Sequence, residues 1–167
     1  MHPRLLLVLV LAAQGLLSCS APPREPVETW AELTFGFRLP AGSSPTGAKE
    51  GEVDLSDFRV ASTGATSLRL VEAELQVLEF DVATPTQVAS GKLGVSTSAG
   101  AAPLLVLPWK DLPVGEGGNR KIPVTDPQAL APLLGMGTAA FRLEFTLDDT
   151  PANFNLLTRL RLEAAFD

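Results

Sequence analysis

The chain has 167 residues, enough for one domain with its own core, and its net charge of −6 argues against a surface built to hold phosphates. A single Cys excludes an intrachain disulfide, the single His is His2, and Tyr is absent. Beyond the N-terminal segment there is no imidazole, phenol or spare thiol, which excludes Ser-His-Asp and Cys-His catalysis and zinc sites of the usual ligand types.

The chain opens with Met1-His2-Pro3-Arg4, a short positive head. Leu5 to Leu17 follows, apolar except for Gln14. That run has the length of a signal-peptide core and falls short of the roughly twenty apolar residues a membrane span needs. An ordinary secretory signal or an uncleaved N-terminal anchor would fit that much. Cys19 weighs against an ordinary secretory signal, because the chain's one Cys stands directly behind Leu16-Leu17-Ser18.

Apolar residues, a small residue and then Cys: this pattern resembles the lipobox of bacterial lipoproteins, over residues 1–19 only. The resemblance implies a diacylglycerol on the Cys19 sulfur, cleavage between Ser18 and Cys19, and acylation of the new amino terminus. Each buried CH₂ adds about 0.8 kcal/mol, so two or three chains give a stable anchor. Ser20, where Asp would favour retention at the inner membrane, implies the outer membrane. Loss of Arg4 with the leader would take the net charge from −6 to −7. A body so acidic would not adsorb to anionic lipid, so the acyl chains must hold it there.

Three divisions are therefore expected: a signal peptide over 1–18, a lipidated Cys and Pro-rich tether over 19–29, and a folded domain over 30–167. Ser20 to Glu28, SAPPREPVE, has the composition of an extended spacer. Ala31 to Leu39 alternates, with Leu33, Phe35, Phe37 and Leu39 on one face, and predicts a half-buried strand. Pro40 to Gly51 predicts a loop. Glu52 to Val60 predicts a second strand, with a bulge near Ser56-Asp57 to bring Val53, Leu55, Phe58 and Val60 onto one face.

Leu68 to Val82 carries two periods. Leu68, Val71, Leu75, Leu78 and Val82 would suit a helix. Val71, Ala73, Leu75 and Val77 would suit a strand, with a change of parity before Leu78, Phe80 and Val82. Its neighbours are strands, which favours strand here too. A turn at Thr84 to Gln87, a strand over Val88 to Val95 interrupted by Gly91 and Gly94, and a short buried strand over Pro103 to Leu107 follow. Trp109 to Asn119 is predicted as a long connection and Arg120 to Val124 as extended chain. Asp126-Pro127 is a good helix start and Gly135 a stop, which predicts one or two short turns over Pro127 to Leu134. Ala140 to Leu147 is the clearest strand, with Phe141, Leu143, Phe145 and Leu147 set against Arg142, Glu144 and Thr146. Asp148 to Asn153 is a turn. Phe154 to Phe166 closes the pattern, with Leu156, Leu160, Leu162 and Ala164 on one face.

The expected fold is all-β: an antiparallel β-sandwich, immunoglobulin-like in the broad sense, with one short helical segment. Chemistry is sparse within it. Ser90-Gly91-Lys92 is not an S-x-x-K motif, and TGAKEG over 46–51 lacks the spacing of a phosphate loop. Gly115 to Gly118, GEGG, is best taken as a turn. Asp54, Asp57, Glu72, Glu74, Asp148 and Asp149 are carboxylates that a hydrolase would have to bring together across a cleft. Glu72 with Glu74, and Glu79 with Asp81, fit solvated strand faces. Asp148-Asp149 alone does not make a calcium loop. Trp30 and Trp109 are the residues that would stack on sugar, against the plainer reading that both pack on the domain.

The expectation is thus a non-enzymatic protein lipidated at Cys19, in the bacterial envelope, without cofactor, metal or nucleic acid. It would present its sandwich to a protein partner. The alternatives are a carbohydrate-binding module and, behind it, a carboxylate-dependent hydrolase.

Overall fold

The computed structural model of the protein describes residues 23–80, 88–114, 118–148 and 152–167. Eight strands form two antiparallel four-stranded sheets. They are β1 (Val27–Leu39), β2 (Thr46–Asp54), β3 (Ser67–Phe80), β4 (Val88–Ser96), β5 (Leu105–Pro113), β6 (Asn119–Ile122), β7 (Thr138–Leu147) and β8 (Ala152–Ala165). Sheet A has the order β1-β8-β3-β6 and sheet B the order β2-β7-β4-β5. First lies beside last, second beside seventh, third beside sixth and fourth beside fifth. The chain is in effect one long hairpin rolled over on itself, which is the arrangement of a double-sheet jelly roll.

The expected antiparallel sandwich is therefore present. Alternation is what builds its core. Phe35 and Phe37 of β1, Phe141, Leu143 and Phe145 of β7, and Phe154, Leu156 and Leu160 of β8 all point between the sheets and are buried. Phe37, Phe145 and Phe154 form an aromatic cluster joining the sheets: the Phe37 centroid lies 4.4 Å from that of Phe145, edge-on, and 5.1 Å from that of Phe154. Thr158 is the polar member of this interior. Its hydroxyl donates to the Leu33 carbonyl at 2.9 Å, so it is buried with its hydrogen bond made.

The ambiguous stretch is strand, as preferred, and two irregularities explain its mixed period. Register with β8 shifts between Leu70 and Glu72 and again between Val77 and Glu79. Leu68 and Leu70 face the core before the first shift, and Ala73, Leu75 and Val77 after it. The second shift is the parity change seen in the sequence, and it leaves Leu78 exposed on the surface. Asp81 and Val82, and the turn over Thr84 to Gln87, lie outside the described residues.

Three expectations are corrected. First, β2 already begins at Thr46, so 46–51 is strand where a loop was expected. Its inward positions are Gly47, Lys49, Gly51 and Val53, so three of the four lack the apolar signal. Space explains the glycines: a Cβ on Gly47 would lie 2.6 Å from the Phe145 ring, and one on Gly51 would lie 2.7 Å from Leu33. Lys49 reaches across the sheet edge to donate to the Gly36 carbonyl, over the Phe37 ring. Second, the strand predicted over Glu52 to Val60 stops at Asp54 and gives way to a helix, α1 (Ser56–Ala61). Asp54 Oδ1 accepts from the Ser56 amide at 2.8 Å, and Leu55 and Phe58 are buried at helical spacing while Val60 is exposed. Third, β5 runs on through Trp109 to Pro113, where a connection was expected. Pro108 disguised it. β5 is the edge of sheet B, where a residue without an N–H is tolerated.

Smaller features match. Asp126 Oδ1 accepts from the Gln128 amide at 3.1 Å, and a 3₁₀ turn over Ala131–Leu133 follows. Gly135 ends it at φ 80°, a conformation that suits glycine. β1 begins at Val27, earlier than the alternation alone suggested, and Arg24 already touches the domain: its guanidinium donates to the Thr63 carbonyl at 2.9 Å and lies 4.5 Å from the Phe166 ring centroid.

Gly91 of β4 has no room for a side chain. Register between β4 and β5 shifts at Ala89–Gly91, and a Cβ on Gly91 would lie 2.0 Å from the Glu144 carbonyl oxygen and 2.8 Å from Trp109. Backbone cannot yield as a flexible side chain can. Gly91→Ala is expected to cost about 1–3 kcal/mol or more. Gly94→Ala, whose Cβ would meet nothing nearer than 3.7 Å, should cost much less. Urea midpoints of the two variants check the ranking.

Candidate functional site

The two outer faces of the sandwich differ in kind. On sheet A, β1 contributes Glu28, Trp30 and Glu32, and β8 sets Glu163, Arg161 and Arg159 opposite them. β3 adds Arg69, Glu72 and Glu74 along the same rows, and β6 adds Lys121. Arg159 meets Glu32 at 2.8 Å and Glu74 at 3.9 Å. Arg161 meets Glu72 at 3.4 Å and Glu28 at 3.6 Å, Arg69 meets Glu163 at 2.7 Å, and Lys121 pairs with Glu72. Opposite charges stand next to one another across four strands, the favourable cross-strand arrangement. Trp30 is 40% exposed, but Arg159 lies 4.9 Å from its ring centroid and Arg161 lies 5.9 Å away. One face of the indole is therefore engaged by cations.

This face titrates. The Lys121 ammonium holds Glu72 below the ordinary Glu value of 4.5, and the Arg69 guanidinium does the same for Glu163. Lowered values in the folded state mean that these groups add stability above the ordinary value and lose it as pH falls through their own lower values. The urea midpoint is expected to be flat from neutrality to about pH 5 and to fall below it. Glu72→Gln with Glu163→Gln should flatten the acid limb, which a pH series of unfolding curves will show.

The outer face of sheet B is open. Thr46 and Ala48 of β2, Arg142, Glu144 and Thr146 of β7, Lys92 of β4 and Pro108 of β5 line a groove of about 740 Å³. The β4–β5 loop bounds one end: the Gly100 amide donates to Glu50 Oε1 at 2.8 Å, and Ala101 and Pro103 shelter a smaller recess of about 80 Å³ beside Val106. Charges sit in the middle. Lys92 Nζ lies 2.9 Å and Arg142 Nε 3.0 Å from Glu144, and Arg142 also approaches Glu50 at 3.9 Å. Lys92 first and Arg142 second hold the Glu144 carboxyl below its ordinary value. Glu144 is thus ionised at neutral pH and is no general acid. The groove carries two cations and one anion, with Glu50 in the adjoining recess, a floor of small side chains, and no nucleophile paired with a base.

The carboxylates named from the sequence do not come together. Asp54 and Asp57 sit at the start of α1, with Asp54 held low chiefly by the Ser56 amide. Glu72 and Glu74 lie on the outer face of sheet A, and Glu79 there accepts from Asn155 at 2.7 Å. Asp148 follows β7, and Asp149 and Asp81 lie outside the described residues. Among the described residues no three His, Cys, Asp or Glu side chains are grouped to hold a metal. The GEGG stretch is described only at Gly118, whose amide donates to Pro113 at 2.9 Å. Trp109 is only 6% exposed, and its indole N–H is buried without a hydrogen-bond partner among the described residues. So little of its ring is exposed that it makes a poor stacking platform for a sugar. Cys19 lies outside the described residues, as does the rest of the leader. No helix among the described residues is long and apolar enough to cross a membrane.

The groove escaped the sequence reading because nothing marks it. Arg142 and Glu144 were legible as outward residues of β7. Their meeting with Lys92 and Glu50 depends on the strand order β2-β7-β4.

Fold and groove together describe an eight-stranded jelly-roll sandwich with one open outer face. No protein-family model matches the chain, and no curated protein matches it. Solved structures similar in strand arrangement include viral ones. The infectious bursal disease virus Gx strain structure aligns at TM-score 0.42 and 11% identity over 86% of this chain, which spans about a third (33%) of that longer chain. The decameric BFDV capsid protein aligns at TM-score 0.43 and 11% identity, covering 84% of this chain and 99% of that one. Desmodium yellow mottle tymovirus aligns at TM-score 0.38 and 9% identity over 86% and 89%. These are likenesses of strand geometry and carry nothing about activity.

Proposed function

We propose that this chain is a lipid-anchored protein of the bacterial cell envelope, held at the outer membrane by acyl chains on Cys19. Its sandwich works without catalysis, by binding an envelope protein partner on the outer face of sheet B. The observation that carries this reading is the contrast between the two faces. On sheet A, Glu28, Glu32, Glu72, Glu74 and Glu163 each meet an arginine or lysine of the same face. On sheet B, Lys92 and Arg142 likewise pair with Glu144, so the contrast lies in the open groove and not in the charges. On sheet B the groove stays open, its floor is made of small side chains, and its central charges are half exposed. A partner loop carrying both signs of charge could lie there at little desolvation cost.

The test is a pulldown from detergent-solubilised envelope, run with three baits. Ala48→Trp fills the groove from an exposed edge position, and Trp30→Phe alters the other face. A partner retained by the unaltered chain and by Trp30→Phe but lost with Ala48→Trp supports the assignment. The same proteins on all three baits would remove it. If alanine at a single carboxylate abolished function in a folded, membrane-bound protein, the hydrolase reading would take its place.

A further inference from the structure

The far edge of the sandwich, away from β1 and β2, holds a cavity of another character. There β5 of sheet B and β6 of sheet A border a cleft of about 300 Å³. Its walls are Pro108, Trp109, Ile122 and Pro123, and its remaining lining residues are Lys110, Arg120 and Lys121. No carboxylate lines it, on a chain whose net charge is −6. Lys121 is committed to Glu72. Lys110 and Arg120 are both exposed, and among the described residues neither makes an ion pair. The prolines matter chemically. Each removes a backbone N–H from an edge where a strand would otherwise offer one, so these positions present carbon.

We propose that this cleft is a binding site for a small amphipathic carboxylate, its apolar body against Trp109, Ile122 and the two prolines and its acid group between Lys110 and Arg120. The apolar walls select a ligand with a hydrocarbon part, which a bare inorganic anion lacks. The two cations, without an ion-pair partner among the described residues, select a negative end, and the planar Arg120 guanidinium suits a carboxylate, which it can hold with two parallel hydrogen bonds. The volume is at the small end of ligand sites, which favours a compact molecule over a protein segment. Neither the anchor nor the sheet B groove enters this assignment.

The indoles make the test direct. The chain has two Trp and no Tyr, so Trp30→Phe leaves Trp109, in the cleft wall, as the dominant fluorophore. The full chain carrying Trp30→Phe, with Cys19→Ser to exclude acyl chains, is titrated with octanoate in detergent-free buffer. Octanol and octylamine serve as neutral and cationic counterparts. Octanoate is expected to shift Trp109 emission saturably, and to bind at least about tenfold more tightly than either counterpart. Added salt should weaken it. Lys110→Glu with Arg120→Glu should weaken octanoate by about tenfold or more without moving the thermal midpoint. If that variant does not fold, Lys110→Gln with Arg120→Gln takes its place. No saturable response to octanoate, or an equal response to octanol, would overturn the proposal.

Discussion

Cys19→Ser is expected to abolish membrane association while leaving the domain folded. The leader resembles that of a lipoprotein, in which Cys19 is the only point of covalent attachment. Without its thiol there is nothing to acylate. The body has no substitute: it is acidic, and no helix among its described residues is long and apolar enough to span a bilayer. The folded domain should be indifferent, because the chain's lone Cys makes no crosslink and β1 begins only at Val27. Two measurements decide it. Fractionation should move the Ser variant from the membrane pellet to the soluble fraction, and its urea midpoint should match that of the unaltered chain. A Ser variant that still pellets with membranes would end the lipoprotein reading and, with it, the proposed location.

The largest effect on stability is expected in β7. Phe141→Ala or Phe145→Ala should cost roughly 3–5 kcal/mol, the range for removing a buried aromatic ring. Phe141 is 1% exposed, and β7 lies between β2 and β4 in the interior of sheet B. Phe145 adds a specific loss. Its ring packs edge-on against Phe37 of the other sheet and approaches Phe154 at 6.0 Å, so its removal opens the junction between sheets. Arg142 and Glu144, their neighbours in sequence, point the other way into solvent. Alanine there should cost about half a kcal/mol or less, as surface ion pairs usually do. Denaturation midpoints for the four variants should fall into two groups. If the charged pair ranked with the phenylalanines, the assignment of inner and outer faces would be wrong.

What could be read from the sequence follows from how a strand announces itself. β7 and β8 alternate because each packs one face on the core, and both were legible from Phe141 and Phe154 onward. β3 was harder because two register shifts break its period, and only the shift near Leu78 was visible. The first part of β2, 46–51, was missed because its inward positions are two glycines and a lysine: a Cβ on either glycine would press on Phe145 or Leu33. That constraint comes from residues about a hundred positions away and a neighbouring strand, not from the stretch itself. The candidate site was less legible still. Cys19 stands in a local pattern and could be named. The groove is made by Lys92, Arg142, Glu144 and Glu50, and the cleft by Lys110 and Arg120, on strands that meet only in the folded sheets.

One feature of the topology bears on folding. β8 is the last of the eight described strands in chain order, yet it lies in the middle of sheet A, hydrogen-bonded to β1 on one side and β3 on the other. Those two partners have nothing between them until β8 is made, so sheet A cannot close before it is in place. Closure then waits on contacts between opposite ends of the chain, which fold slowly. The same arrangement makes the C-terminal fourteen-residue strand the piece the domain can least do without.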